Sequence, residues 1–214
     1  MTTTWKLSAV RAPLACGGVS LLAGSLLWQP LLAAEHLADV AHPSAGVGWY
    51  LDQAGFLVAM LLLLTGIGAL DRARVAGSGR VGRWALRGLL LAWALLVAGE
   101  IAQLATGSET APLVNALQGI GGLLTYPTGL VAGVAVARAG RLQGWRRWPL
   151  LATAVYETVV ILVPVLVTNS GPSWAAEAAW QAGWALVGAA AWSQAREAAQ
   201  GPVTTPTAPT ILST

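Results

Sequence analysis

Residues 150–167 read LLATAVYETVVILVPVLV, and this stretch decides the class of the protein. It is an almost unbroken apolar run, and about 20 such residues in a helix cross the hydrocarbon core of a bilayer. One acidic side chain, Glu157, lies near its middle. A carboxyl group at that depth is expensive, so an intramembrane acid is by default a functional-site hypothesis.

The composition of the whole chain agrees with a membrane location. Hydrophobic residues make up 56% of the 214 residues and charged residues 10%, whereas a soluble domain carries about 25% charged residues. The length is that of a single domain. An ordinary soluble enzyme is therefore excluded, and the one cysteine, Cys16, excludes an internal disulfide.

Apolar runs recur along the chain on both sides of this stretch. We predict an all-α, polytopic membrane protein in which residues 1–200 form one bundle of six transmembrane helices. The last run is the weakest, because Glu177 and Gln181 interrupt it. The Pro- and Thr-rich tail at 201–214 is expected to be disordered and cytoplasmic. The predicted spans are 13–34, 49–70, 84–105, 112–137, 148–167 and 174–192.

The distribution of charge supports six spans. All 12 basic residues fall on one side of a six-span chain, and the positive-inside rule makes that side cytoplasmic. Both termini are then cytoplasmic, in a multi-pass protein of the cell membrane. Of the nine acids, only Asp71 and Glu197 share the basic side. Because orientation explains the basic loops, we expect no nucleic-acid partner.

The first span has a second interpretation as a cleaved signal peptide. Lys6 and Arg11 would form its basic region, and residues 32–34 would precede the cleavage point. The apolar run is long for a signal peptide and contains Trp28 and Pro30, which favours a retained span. Cleavage would leave the other five spans unchanged.

Both histidines of the chain lie in the first outer loop. Helical spacing would place Glu35, Asp39 and His42 on one face, with His36 a near neighbour of Asp39. Histidine and carboxylate side chains together can bind a divalent metal. A polar interfacial loop is the simpler interpretation, so we predict no metal and no other cofactor.

Helical phase predicts which polar groups inside the spans can meet. In the fifth span Thr153, Glu157, Pro164 and Thr168 would share one face, and Pro164 cannot donate to the carbonyl of Val160. Similar polar stripes run along three other spans. They contain Trp93, Glu100 and Gln103 in the third span, Asn115, Gln118 and Tyr126 in the fourth, and Gln181 and Trp184 in the sixth.

Depth in the bilayer divides these groups into two layers. At 1.5 Å per residue, Glu157 lies ~13 Å from the inner end of its span. Trp93, Tyr126 and Trp184 lie near that depth. The polar side chains nearer the outer face are Glu100, Gln103, Asn115, Gln118 and Gln181. If the faces converge, an outward-opening polar vestibule stands above an aromatic-lined pocket that holds Glu157.

A structural interpretation competes with this one. Buried Asn and Gln side chains often join neighbouring helices without any chemistry, and glycines spaced like Gly129 and Gly133 usually mark close helix packing. Glu100 and Glu177 can reach the outer surface. Glu157 is too deep for that.

Two resemblances bear on this choice. The segment GGLLTYP at 121–127, with Gly129, Gly133, RAG at 138–140 and residues 145–149, resembles a pattern in six-span bacterial membrane proteins, which implies a fold and no activity. In architecture the chain resembles small, all-helical membrane terpene cyclases, which use intramembrane carboxylates to protonate an isoprenoid alkene or epoxide. The chain has six spans where the fungal members have seven. It carries no DDxxD-type motif, so ionisation of a diphosphate is not expected.

The favoured hypothesis is a membrane enzyme that acts on a lipid or prenylated hydrophobic small molecule by acid-initiated chemistry. Glu157 would be the general acid and Glu100 the second acid or the base. Tyr126 or Tyr156 would orient the substrate or help to remove a proton, and Trp93 and Trp184 would stabilise a cation. The alternatives are a proton-coupled carrier with Glu157 as its proton site, and an accessory subunit whose polar groups hold helices together.

Overall fold

The computed structural model describes the backbone of residues 4–38, 46–168 and 171–200, and the side chains of residues 10–34, 46–168 and 171–200. Within these ranges the chain is helical and contains no strand. A short 3₁₀ turn, Gly144–Arg147, precedes the fifth long helix. The six long helices are α1 (Thr4–Ala38), α2 (Val47–Arg72), α3 (Arg80–Thr106), α4 (Pro112–Ala139), α5 (Pro149–Thr168) and α6 (Trp174–Gln200).

Each predicted span falls on one of these helices, and five helices are long and apolar enough to cross a membrane. They are α2, α3, α4, α5 and the part Val10–Ala34 of α1. Large apolar side chains such as Leu123, Val159 and Leu166 are exposed on the outside of the bundle, as lipid-facing positions are. The protein is therefore a multi-pass membrane protein. Helix α6 has 27 residues but more polar side chains, and its crossing of the membrane stays a prediction.

The helices form a closed ring. Each helix packs on its neighbours in sequence, and α6 packs along α1 to close the circle. A Cβ atom on Gly18 would lie 2.7 Å from the carbonyl oxygen of Gly188, and one on Gly188 would lie 2.7 Å from that of Gly18. These distances are too short for any side chain. The ring therefore closes where two glycines let two backbones touch.

Basic residues gather at one end of the ring. There Arg146 donates from Nε to Ser193 Oγ at 2.8 Å and forms an ion pair with Glu197, which ties the turn before α5 to the end of α6. Asp71 faces Arg87 across the turn between α2 and α3, at 3.8 Å. We call this the basic end.

Polar contacts of the opposite end also join neighbouring helices. Trp49 Nε1 donates to Glu109 at 2.9 Å, and Gln29 Nε2 donates to the carbonyl of Ala178 at 2.8 Å. Helix α6 thus has contacts at both ends of the ring.

Helix α5 changes its hydrogen-bond register in the middle. Residues Glu157–Leu162 form a π-helical segment, in which the Val163 N–H donates to the carbonyl of Thr158, five residues earlier. Pro164 has no N–H for the carbonyl of Val160, which removes one bond of the α-helical register at this point. Thr153 and Glu157 are buried while Pro164 and Thr168 are exposed. No residue of Val163–Thr168 is buried, so the predicted common face of these four residues is buried only on the part before Pro164.

Candidate functional site

Glu157 is the first residue of the π segment and is 4% exposed. Thr125 of α4, equally buried, places its hydroxyl oxygen 2.6 Å from Glu157 Oε1 and 2.7 Å from the carbonyl oxygen of Gly122. Both residues lie near the middle of their helices, so they meet far from either end of the bundle. A carboxyl group and a hydroxyl group are thus paired deep inside the ring.

This pairing suits both protonation states of the carboxyl group. A threonine hydroxyl has one proton to donate and can accept as well. When Glu157 is ionised, Thr125 donates to it. When Glu157 is protonated, its O–H can donate to Thr125 Oγ1 while Thr125 donates to the Gly122 carbonyl. The proton on Glu157 can therefore be lost and regained without moving a heavy atom of the site.

One aromatic side chain lies beside the carboxyl group, and a second follows its threonine partner in the chain. The Trp180 indole of α6 interacts electrostatically with Glu157, but its N–H falls short of hydrogen-bond geometry. Tyr126 of α4 is half-buried and follows Thr125 directly in the chain. Of the predicted catalytic residues, Glu157 is thus held by Thr125, and Tyr126 is the next residue along α4 from that contact.

Trp180 is also part of an indole cluster, formed by Trp28, Trp93, Trp180 and Trp184, at the centre of the ring. Trp93 stacks on Trp180 with ring centroids 5.8 Å apart, and Trp184 meets Trp93 edge-on at 5.5 Å. Trp28 meets Trp180 edge-on at 6.5 Å and packs on Phe56 at 5.1 Å. The cluster joins α1, α3 and α6 and reaches Glu157 through Trp180.

Several buried polar atoms of this region lack a hydrogen-bond partner among the described residues. They are the four indole N–H groups of the cluster, Ser25 Oγ, and both amide atoms of Gln181, which is 0% exposed. Buried polar atoms in folded proteins nearly always have a partner. An indole N–H can only donate. The centre of the ring therefore holds several donors that no described residue pairs.

A chain of glutamines lies nearer the end opposite the basic one. Gln118 Nε2 donates to Gln103 Oε1 at 3.0 Å, and Gln103 Nε2 donates to Gln53 Oε1 at 3.0 Å. This chain joins α4, α3 and α2. It contains two of the predicted vestibule residues and one residue, Gln53, that sequence reasoning missed.

The other predicted residues are more scattered. Glu100 is 3% exposed on α3, which α4 separates from α5 in the ring, so the two acids are not on adjacent helices. Asn115, in the first turn of α4, is exposed, and its amide donates to the carbonyl of Thr110 in the preceding loop at 3.3 Å. Tyr156 donates from its hydroxyl to the carbonyl of Ala176 at 3.2 Å, which ties α5 to α6.

Thr125 and Trp28 are the main residues of the site that the sequence did not predict. A threonine in an apolar span is a common structural residue, because its hydroxyl usually bonds to its own helix. Trp28 lies well inside its apolar run rather than at the end, where interfacial tryptophans lie. That position was the available signal for an interior role.

The metal hypothesis falls on residues whose side chains the structure does not describe, namely Glu35, His36, Asp39 and His42. Among the described side chains, no group of three or more His, Cys, Asp or Glu residues could hold a metal ion.

No protein-family model, no curated protein and no solved structure matches this chain. The function is therefore argued from the site itself.

Proposed function

We propose that this protein is an integral membrane enzyme that protonates a lipid or isoprenoid substrate, with Glu157 as the proton donor. The observation that carries this assignment is the position of Thr125, between the Glu157 carboxyl group and the Gly122 carbonyl oxygen. A general acid must give up a proton and recover it in every turnover. Thr125 supplies a partner for Glu157 in both states.

In the proposed reaction one proton is added to the substrate and one is removed from it. Glu157 gives its proton to an alkene carbon or an epoxide oxygen of the substrate, and a carbocation forms. Indole rings stabilise cations at their faces, and Trp180 lies beside the acid. Loss of a proton from a neighbouring carbon to a base restores an alkene. In this proposal Tyr126 or Tyr156 orients the substrate or helps in that removal, and Glu100 is the second acid or the base.

The buried donors narrow the kind of substrate. A pure hydrocarbon would leave the indole N–H groups and the Gln181 amide unpaired at a cost of about 1–3 kcal/mol for each group. A prenylated aromatic compound with carbonyl or ether oxygens would accept from them. We therefore expect an apolar substrate that carries acceptor oxygens near its reacting chain.

The proposed setting is the cell membrane, with six spans and both ends of the chain in the cytoplasm. The gathering of arginines at one end of the ring supports this orientation, because basic residues are retained on the cytoplasmic side.

The experiment compares three proteins in isolated membranes that are incubated with linear prenylated aromatics. Glu157→Gln keeps the shape of the side chain but cannot donate a carboxyl proton. We expect the wild-type protein to form an isomer of unchanged mass and Glu157→Gln to lose roughly two to four orders of magnitude in turnover. Glu109→Gln, in the exposed turn between α3 and α4, is the matched control and should retain activity, because its amide oxygen can still accept from Trp49.

The outcomes separate the competing functions. Full conversion by Glu157→Gln would remove Glu157 as the proton donor. If Glu157 only holds helices together, Glu157→Gln should have nearly wild-type stability, and Glu157→Leu should lower the unfolding free energy by about 1 kcal/mol. That result would indicate an accessory subunit.

A proton-coupled carrier is the second candidate, and the π segment favours it. Such segments often occur at functional sites and allow a helix to change register, and this one begins at the buried acid. Proton-coupled uptake that Glu157→Gln abolishes, without conversion of any prenylated compound, would establish the carrier.

A further inference from the structure

A cavity of about 190 Å³ lies between α1 and α6 at the basic end of the ring. It has room for several water-sized groups. Three alanines, two arginines and one glutamine line it. Its lining consists of Arg11, Ala15, Ala195, Arg196, Ala199 and Gln200. We call it the arginine pocket.

The charge of the arginine pocket is not neutralised by the described part of the chain. Neither Arg11 nor Arg196 forms an ion pair with a described residue, and both side chains are exposed. The two acids of the basic end are engaged elsewhere, Asp71 with Arg87 and Glu197 with Arg146. Two positive charges and one amide therefore face the cavity without an acid in its lining.

Aromatic packing holds one of these charges in place. The guanidinium of Arg196 lies over the ring of Trp192, 4.9 Å from its centroid. Trp192 is exposed on the side of the bundle, and tryptophan at the end of a span marks the level of the lipid headgroups. The arginine pocket is therefore at the depth where phosphate groups of lipids lie.

We propose that the arginine pocket binds the phosphate group of an anionic membrane lipid. Guanidinium groups pair with phosphate oxygens in a two-pronged geometry, and the short alanine side chains of the lining leave room for a phosphate between α1 and α6. Gln200 adds a neutral donor. This assignment is independent of the chemistry at Glu157, which lies near the middle of the ring.

Such a lipid would hold the ring closed. It would touch α1 and α6, the two helices that meet at Gly18 and Gly188. A ligand that binds only the folded state raises the stability of that state. Occupancy of the arginine pocket should therefore protect the contact that closes the ring.

The full-length protein is purified in a neutral detergent and transferred to bilayers of phosphatidylcholine with or without phosphatidylglycerol. We expect a higher unfolding midpoint with phosphatidylglycerol, and retention of that lipid in native mass spectrometry. Arg11→Gln combined with Arg196→Gln should weaken retention roughly tenfold or more. Arg11→Lys with Arg196→Lys keeps the charge and should retain part of the binding, which shows that the site still folds.

The matched control is Arg138→Gln with Arg141→Gln, which removes equal charge from exposed positions at the same end. If this control loses as much lipid retention as the Arg11 and Arg196 variant, the effect comes from general surface charge, and the proposed site is wrong. Equal protection of the wild-type protein by inorganic phosphate in phosphatidylcholine would assign the site to a soluble phosphate and overturn the lipid. An equal unfolding midpoint in the bilayers with and without phosphatidylglycerol would also contradict the proposal.

Discussion

At the scale of single residues, the contact between Thr125 and Glu157 decides how the centre of the bundle behaves. The position of Glu157 was predictable, because its apolar run fixes both its burial and its depth. Its partner was not, because Thr125 lies 32 residues earlier on another helix. The helical phase of one span cannot tell which residue of the next span faces it.

We expect Thr125→Val to fold and to lose about one to two orders of magnitude in conversion of the substrate. Valine has nearly the same shape but offers Glu157 neither a donor nor an acceptor. The loss of this buried bond should also lower the unfolding free energy by about 1–3 kcal/mol. Thr125→Ser keeps the hydroxyl and is the control. A valine variant with wild-type turnover would show that Thr125 takes no part in the proton transfer.

At the scale of elements, the π segment of α5 differs from the sequence prediction, which treated α5 as a regular α-helix. Pro164 predicts a break in the α-helical hydrogen bonds of this span, but a helical projection assumes a constant 3.6 residues per turn. The wider π turn shifts everything after Glu157 around the helix axis. The faces of α5 could therefore be predicted up to Glu157 and not beyond it.

Replacement of Pro164 by alanine tests whether the π-helical hydrogen-bond register of α5 is needed for activity. The new N–H can bond to the Val160 carbonyl, so we expect the α register to be favoured and Glu157 to move relative to Thr125. A displacement of about 1 Å costs on the order of 100-fold in rate, whereas the thermal stability should stay equal or rise. Activity assays measure the expected loss of rate in Pro164→Ala, and melting curves measure its thermal stability. Pro30→Ala of α1 is the control. Unchanged activity in Pro164→Ala would make the π segment irrelevant to function.

The contact between α1 and α6 can be tested in the same way. A side chain at Gly188 would clash with the backbone of Gly18, so Gly188→Ala should lower the unfolding free energy by about 1–3 kcal/mol. A Cβ atom on Gly119 of α4 would meet nothing within 4 Å. Gly119→Ala should therefore raise the unfolding free energy by up to about 1 kcal/mol, because alanine has a higher helix propensity than glycine. Equal unfolding midpoints for the two variants would contradict the close approach of α1 and α6.

At the scale of the whole molecule, the open question is whether α6 crosses the membrane. Its 27 residues reach about 40 Å, which exceeds the ~30 Å of hydrocarbon. The carbonyl of its Ala178 accepts from Gln29 at one end and its Glu197 pairs with Arg146 at the other, so it runs the length of the ring. The number of long helices was predictable from apolar runs. The closure of the ring was not, because no sequence pattern links α6 to α1.

Reporter fusions give the topology. Fusions after Arg80, Arg141 and Arg196 should report cytoplasm, and fusions after Gly107 and Gly171 should report the outside. An outside signal after Arg196 with the others unchanged would place α6 on the membrane surface. An outside signal after Arg141 would contradict the whole arrangement.

The closing contact between Gly18 and Gly188 also has a consequence for how the protein is made. Gly188 leaves the ribosome about 170 residues after Gly18, which at 5–20 residues per second is roughly 10–30 s. During that interval α1 is already present and its partner does not yet exist. The glycine-lined side of α1 must then be covered by lipid or by the insertion machinery. The contact between α1 and α6 can therefore form only after α6 has been made.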